Sequence, residues 1–385
     1  QYQDKLELDA KILSQMWDFD TLDESLRPIV TQYDLWISDL KKAKIDPAKN
    51  PMEIKNNELV DEIIKECNTV SSRIKSGIEL LKDDDVRLSF CFANMAINLQ
   101  TQWNRKEDFK YRPFQLAFIL MSMESIISKD SSFRDTCDLL WVPTGGGKTE
   151  AYLVLVALEM GYRRLDAIKH GKSGAGVSVI TRYTLRLLTI QQFRRSLSMF
   201  TAAEFLRVEN VNSKKPIGWR PDQCSNVNDV LWGSTPFSVG MWVGAGVTPN
   251  KLEDTHLSTP PYKIPQALTI LEENSKANSI SEPAQILNCP TCKNILAISS
   301  KGFDPNVEVT IKLIIKSTSK TSSLISAMST FSNSQITLVN YSISEINPGY
   351  FVFEIRFKNK AHTNSRTINV LWTDIQDNFK VQKLN

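Results

Sequence analysis

The stretch Val142-Pro143-Thr144-Gly145-Gly146-Gly147-Lys148-Thr149 constrains this chain more than any other. It ends in Gly-Lys-Thr, follows a short continuous apolar run from Cys137 to Val142, and opens an amphipathic pattern from Lys148 to about Leu165. Strand, glycine turn and helix in that order are the setting a Walker A loop requires. The glycines let backbone N–H groups face phosphate oxygens without side chains in the way, and the helix start adds its positive end. Lys148 brings a point charge to the β- and γ-phosphates, and Thr149 offers a hydroxyl to Mg²⁺. The expectation is an ATP and Mg²⁺ site held by Thr144, Gly145, Gly146, Gly147, Lys148 and Thr149, with Lys148 and Thr149 as the catalytic residues. A plain glycine turn before a helix would need none of this context. The first loop residue, Val142, is bulkier than the small residue usual there, a mild departure.

Around the loop the apolar period changes. Before it the pattern is helical: Ile29, Val30, Tyr33, Trp36, Ile37 and Leu40 share one face of a helix over 28–44, with Pro28 in its first turn. A second helix carries Leu59, Val60, Ile63, Ile64, Cys67, Val70, Ile74, Ile78 and Leu81, and Asp83 to Asp85 end it as a solvated acidic run. A third, Val86 to about Arg105, is apolar on most sides and should be deeply buried; a fourth starts at Pro113. After the loop, Gly176–Thr181 and Phe237–Val243 read as further buried strands, with a helix from about Leu185 to Phe205 between them. Strand and helix in alternation imply an α/β fold with a parallel sheet.

From about Asn306 the alternation is that of β-strands. Val307, Val309, Ile311, Leu313 and Ile315 share one face; Phe351, Phe353, Ile355 and Phe357 share another, as do Ile368, Val370 and Trp372. Asn347-Pro348-Gly349 marks a turn, Ser322–Phe331 a short helix, and Lys316–Ser323 a Ser, Thr and Lys-rich loop.

Composition excludes several classes. Apolar residues make up 42% and charged residues 23% of 385, as in an ordinary globular protein. The net charge of +3 leaves room only for a local basic stripe on a nucleic-acid site. Apolar runs such as Ala151–Met160 fall short of the ~20 residues a membrane span needs, and the start carries no signal-peptide pattern. Six scattered cysteines suit a reducing cytoplasm. The first residue is Gln1 and not Met, so the expectation is a chain whose true N-terminus is missing.

Three more segments carry chemistry. Arg112-Pro113-Phe114-Gln115 lies upstream of the loop, where many helicases carry an Arg-Pro-x-Gln element whose carboxamide donates to and accepts from adenine. A solvent-facing Gln at a helix start is the alternative. Ile180-Thr181-Arg182-Tyr183-Thr184-Leu185-Arg186 ends the second expected strand, where a guanidinium can grip a nucleic-acid backbone. Arg182, Thr184 and Arg186 are therefore nucleic-acid candidates, while Gln191, Gln192, Arg194 and Arg195 extend the polar face of the next helix, the two arginines reading as solvated. Gly244–Asn250 offers Thr248 as a further contact or is a plain loop. Cys289-Pro290-Thr291-Cys292 is half of a tetrahedral Zn²⁺ site. Cys67, Cys91, Cys137 and Cys224 are isolated and look mostly like core residues, so either a second ligand pair lies outside this sequence or the pair stands alone.

ATP hydrolysis needs an Asp for Mg²⁺ and a Glu to orient water. The Asp-Glu pairs here, Asp23-Glu24 and Asp61-Glu62, both precede the loop. As written, the chain should bind nucleotide and barely hydrolyse it.

Phe90–Ala96, Arg112–Gln115, Trp141–Tyr152, Arg182–Phe193, Gly240–Asn250 and the Cys289 knuckle together resemble the DrmA family, the superfamily-2 helicases of the bacterial anti-phage system DISARM. The resemblance covers roughly 85–295. It implies a RecA-like ATP-binding domain forming the first half of a helicase core (111–295) after the helical N-terminal domain (1–110); it does not explain the strand-rich α+β module at 296–385, which reads as inserted or appended. It further implies a longer parent protein with an Asp-Glu box and a second RecA-like domain, a DrmB-like partner, and a foreign DNA target, single-stranded or with a single-stranded end. The chain then reads as an N-terminal fragment of an ATP-dependent DNA translocase. The competing reading is a nucleotide-gated DNA-binding scaffold without turnover. A P-loop kinase, which would need a small-molecule acceptor site, is disfavoured by the Arg182 segment.

Overall fold

The computed structural model describes residues 6–42, 54–143, 145–183, 186–209, 217–224, 226, 230–244, 247–273, 285–294, 296, 308–316, 336–347 and 350–359; for 54–56, 186–188, 271–273 and the last three segments it describes backbone alone. The chain divides into two compact units, Gln1–Gly240 with Pro290–Cys292, and Met241–Cys289 with Lys293–Asn385.

Among its described residues the first unit has seven helices: α1 (Ala10–Gln15), α2 (Phe19–Lys42), α3 (Ile54–Leu80), α4 (Asp84–Arg105), α5 (Pro113–Ile127), α6 (Lys148–Lys169) and α7 (Arg186–Val208). Helix α4 is the hub. It packs on α1, α6 and α7, while α3 packs on α2 and α5, and α5 on α6. The sequence explains why: α4 is apolar around most of its girth, and Leu88, Phe90, Cys91, Phe92, Ala93 and Ile97 are all buried. Phe92 meets Trp232 with ring centroids 4.3 Å apart, and the Trp232 indole N–H donates to the Trp219 carbonyl at 2.9 Å. Two glycines set the helix spacing. A Cβ at Gly161 would lie 3.3 Å from the Trp232 ring, and one at Gly77 would lie 1.9 Å from the Leu120 carbonyl oxygen, so α3 and α5 meet backbone to side-chain-free backbone.

Several expectations change here. Helix α2 starts at Phe19, nine residues before Pro28, which sits buried inside it. Its start is set by Asp18, whose carboxylate accepts from the Thr21 N–H at 2.9 Å and hydroxyl at 2.7 Å. The acidic run is no passive helix end. Asp83 caps α4, accepting from Asp85 N at 2.9 Å and Val86 N at 3.1 Å, and Asp85 pairs with Lys169 of α6. Of the four isolated cysteines only Cys91 is buried; Cys67 and Cys224 are half-buried and Cys137 is exposed.

The expected parallel sheet is not formed among the described residues. Segments 137–143, 176–181 and 237–243 pair with no strand and are irregular. Trp141 is 88% and Ile180 86% exposed, as are Leu139 and Val177 in large part. Side chains meet the backbone around the second and third segments instead, at Val177 and at residues just before each. The Arg163 guanidinium takes the carbonyls of Gly174, Ala175 and Val177 (3.1, 2.9 and 3.2 Å), and Arg164 takes those of Ser173 and Pro236.

In the second unit the described residues form a small ribbon of β1 (Thr255–His256) and β2 (Lys263–Ile264), helix α8 (Ala267–Glu273), and an antiparallel sheet of β3 (Glu308–Lys316), β4 (Ile336–Asn347) and β5 (Tyr350–Asn359) in the order β3-β5-β4. The two faces read from sequence meet in register: Val309 opposite Phe357, Ile311 opposite Ile355, Leu313 opposite Phe353, and Ile315 opposite Phe351. Strand β4 continues the row with Leu338, Tyr341 and Ile343 opposite Phe357, Ile355 and Phe353, after an irregularity between Leu338 and Asn340 that skips Val339. The expected helix over 322–331 and the strand at Ile368–Trp372 lie outside the described residues. No described helix is long and apolar enough to cross a membrane.

Candidate functional site

Helix α6 begins at Lys148 with Gly147 in the left-handed region (φ 89°), and Gly145 is also left-handed (φ 81°). Both conformations favour glycine. Gly146 is required by space: a Cβ there would lie 2.7 Å from Val142 Cγ1 and 2.9 Å from the Pro143 carbonyl oxygen. The larger first residue of the loop thus fills the room that a side chain at 146 would need. Gly146 N donates to the Pro143 carbonyl at 3.0 Å, closing the turn. The Lys148 ammonium turns back onto the loop, donating to the carbonyls of Val142 and of Pro143, the latter at 3.3 Å. Thr149 follows in the first helical turn, and Thr144 lies outside the described residues.

The upstream element is brought onto this loop. Arg112 Nη1 donates to the Gly146 carbonyl at 2.9 Å. Gln115 is buried; its Oε1 accepts from the Arg112 N–H at 2.7 Å, and its Nε2 donates to the Gly147 carbonyl at 2.7 Å. The solvent-facing alternative for Gln115 is therefore out. With one acceptance and one donation made, its carboxamide keeps one N–H and one lone pair for another partner. Around the same helix start, Tyr152 packs edge-on against Phe118 of α5 with centroids 5.8 Å apart.

Arg182 is exposed in an irregular segment just before α7. Thr184 lies outside the described residues, and Arg186 heads α7 with only its backbone described. Tyr183 is half-buried, and burial pushes its phenol up. Arg194 is exposed as expected, but Arg195 is not simply solvated: its guanidinium pairs with the Glu150 carboxylate of α6. Gln192 turns inward, its Oε1 without a protein partner. The Glu150–Arg195 pair joins helices whose sequence positions are far apart, and local periodicity carries no signal of it.

The remaining candidates belong to other parts of the chain. Thr248 is half-buried after a turn in which Val247 N donates to the Gly244 carbonyl at 2.9 Å. Cys289 N donates to the Asn294 carbonyl at 2.8 Å and its carbonyl accepts from Lys293 N at 3.0 Å, with Lys293 left-handed (φ 63°). That is a tight knuckle-like turn. Cys289 is half-buried and Cys292 exposed, and among the described residues no group of three His, Cys, Asp or Glu could hold a metal ion. Two thiols alone do not complete a tetrahedral site.

Residues 142–149 carry the Walker A sequence pattern, with Gly145 and Gly147 left-handed just before α6. More particularly, the chain is similar to the DISARM protein DrmA of Bacillus paralicheniformis, with 35% identity over 293 residues. On that similarity it belongs with the DrmA-like proteins. The match takes in 71% of this chain and 23% of the relative, so the chain spans about a quarter of the length of the curated protein it matches. No family model and no solved structure matches.

Proposed function

We propose that this chain is the nucleotide-binding part of an ATP-driven DNA translocase or helicase acting in DISARM anti-phage defence. The observation that carries the reading is the convergence of Arg112 and Gln115 on the carbonyls of Gly146 and Gly147, directly before Lys148. Two side chains from another helix thereby fix a glycine loop at a helix N-terminus, where backbone N–H groups and the helix dipole suit phosphate. Lys148 would exchange its loop carbonyls for the β- and γ-phosphates of ATP, and Thr149 would serve Mg²⁺. The free N–H and lone pair of Gln115 suit adenine. Arg182, Arg186, Thr184 and Thr248 would serve a DNA backbone, preferably single-stranded.

In this reading the first RecA-like domain is completed by further polypeptide. The exposed apolar runs at 137–143, 176–181 and 237–243, two of them leading into α6 and α7, have the composition of inner strands of a parallel sheet. Similarity to a protein about four times longer than the matched stretch supports this. A DrmB-like protein would be its partner, and a Zn²⁺ at Cys289 and Cys292 would draw its other ligands from outside the described residues. A second reading, a nucleotide-gated DNA-binding module without turnover, draws on one observation: no Asp-Glu pair follows Lys148.

Equilibrium binding of a fluorescent ATP analogue with Mg²⁺ tests the shared core of both readings. Saturable binding that Lys148→Ala weakens at least tenfold supports it. Absent binding, or binding indifferent to Lys148, removes both.

A further inference from the structure

We infer that Arg195 is a positioning residue for nucleotide: it neutralises Glu150, a carboxylate carried beside the Lys148 loop. The inference rests on the reading above and deepens it. Glu150 lies two residues after Lys148, in the first turn of α6, and its side chain is only 17% exposed. It reaches back over the loop. A Cβ on Gly147 would lie 3.5 Å from Glu150 Oε2 and 2.6 Å from Gln115 Nε2, so the carboxylate and the Gln115 carboxamide flank the same glycine. The N–H groups and dipole of a helix start favour phosphate, and an uncompensated anion at that spot would oppose it.

The compensation comes from another helix. The Arg195 guanidinium, from the third turn of α7, pairs with Glu150 Oε1. Arg195 is held from behind as well: its carbonyl accepts from Gln100 Nε2 of α4 at 3.3 Å, and one turn on, Ser198 Oγ accepts from Asn104 Nδ2 at 3.3 Å. Helix α4 packs on both α6 and α7, so it carries the two partners together. The nearer cations are engaged with the loop itself, Arg112 on the Gly146 carbonyl and Lys148 on those of Val142 and Pro143. Among the described residues, Arg195 is the cation that meets Glu150. The carboxylate suits the helix start while phosphate is absent, and the guanidinium leaves it neutral when phosphate arrives. Neither side chain needs to touch nucleotide.

The experiment measures affinity of full-length protein for a fluorescent, non-hydrolysable ATP analogue with Mg²⁺, in wild type, Arg195→Gln, Arg195→Lys, Glu150→Gln and the Glu150→Gln/Arg195→Gln double variant. Arg195→Gln should weaken binding about fivefold, a modest factor because the pair is partly exposed and screened. Glu150→Gln should do the opposite and tighten binding about two- to threefold, since it removes the anion and keeps the cation. The double variant should return to within about twofold of wild type, and Arg195→Lys, which keeps the charge, to within about threefold. A pair that merely braced α6 against α7 would lose affinity in the same direction whichever partner was removed. Losses of the same sign in Arg195→Gln and Glu150→Gln, or an affinity indifferent to Arg195→Gln, overturn the inference. A wild type that binds no analogue fails on the earlier reading instead, so the two failures are distinguishable. Thermal melting identifies a variant that has lost its fold. If Arg195→Gln is one, Glu150→Gln decides the question, tighter binding supporting the inference and unchanged or weaker binding overturning it.

Discussion

Gln115 joins two parts of the molecule that are 32 positions apart, accepting from the Arg112 N–H and donating to the Gly147 carbonyl that starts the Lys148 helix. Removing a buried hydrogen-bond partner costs about 1–3 kcal/mol, because the group left behind is unsatisfied. Here that cost falls on the loop. Gln115→Ala should weaken binding of Mg²⁺-ATP by about tenfold, as a loss of ~1.4 kcal/mol would. Titration with a fluorescent nucleotide checks it, and unchanged affinity would show that the loop holds its shape without the clamp.

The crossing of α3 and α5 at Gly77 makes a stability prediction. Alanine is the better helix former by about 1 kcal/mol, which alone would favour Gly77→Ala. The added Cβ would lie 1.9 Å from the Leu120 carbonyl oxygen, backbone that cannot swing aside. Overpacking of this kind costs about 1–3 kcal/mol or more, so destabilisation should win. Chemical denaturation should show a lowered midpoint; a raised one would mean the helices part freely.

Asp254 gives the second unit a defined acid sensitivity. The hydrogen bond from Lys263 comes first among its causes, followed by the Gln266 N–H and the Thr269 hydroxyl, and together they hold the carboxyl at about 2. A carboxyl depressed on folding contributes stability that is present above its unfolded value of about 3.9 and lost as pH falls towards the folded one. The turn around Asp254 should therefore stay intact at pH 5 and loosen between about pH 4 and 2. NMR titration of the Asp254 carboxyl in wild type and Lys263→Met checks this; the variant should titrate at higher pH.

The exposed apolar segments make a prediction about a longer protein. In this chain the amides of 137–143 and 176–181 make no strand pairing and should exchange with solvent quickly. In a full-length protein, where the proposed sheet is complete, they should be strongly protected. Hydrogen exchange read by mass spectrometry compares the two. Equal, fast exchange in both would remove the sheet from the proposal.

What the sequence made legible follows from how far each interaction reaches. Helices α3 to α7 were visible because their burial repeats along the chain, and the Phe351 and Val309 strands because alternation is local. Pro28 suits a first helical turn and so draws the expected start of α2 to 28, whereas the true signal, Asp18 with Thr21, is two short polar residues. Strand β4 is not legible from alternation, because Asn340, Ser342 and Ser344 dilute it and the skipped Val339 shifts its phase. At the site, Gly-Lys-Thr and its glycines carry their own geometric reasons. The Glu150–Arg195 pair could not be read, since it forms only when α6 and α7 pack. Segments 137–143, 176–181 and 237–243 have the apolar composition of strands, but composition does not supply the neighbours that pairing requires.

The central claim is that the Lys148 loop drives work on DNA, and the most direct measurement is DNA-stimulated ATP hydrolysis by full-length protein, beside its Lys148→Ala variant. The account predicts that single-stranded DNA raises turnover and that Lys148→Ala reduces it to background, a loss of at least a hundredfold for a group that stabilises transferring phosphoryl charge. Binding of both ATP and DNA with no turnover under any condition would contradict it.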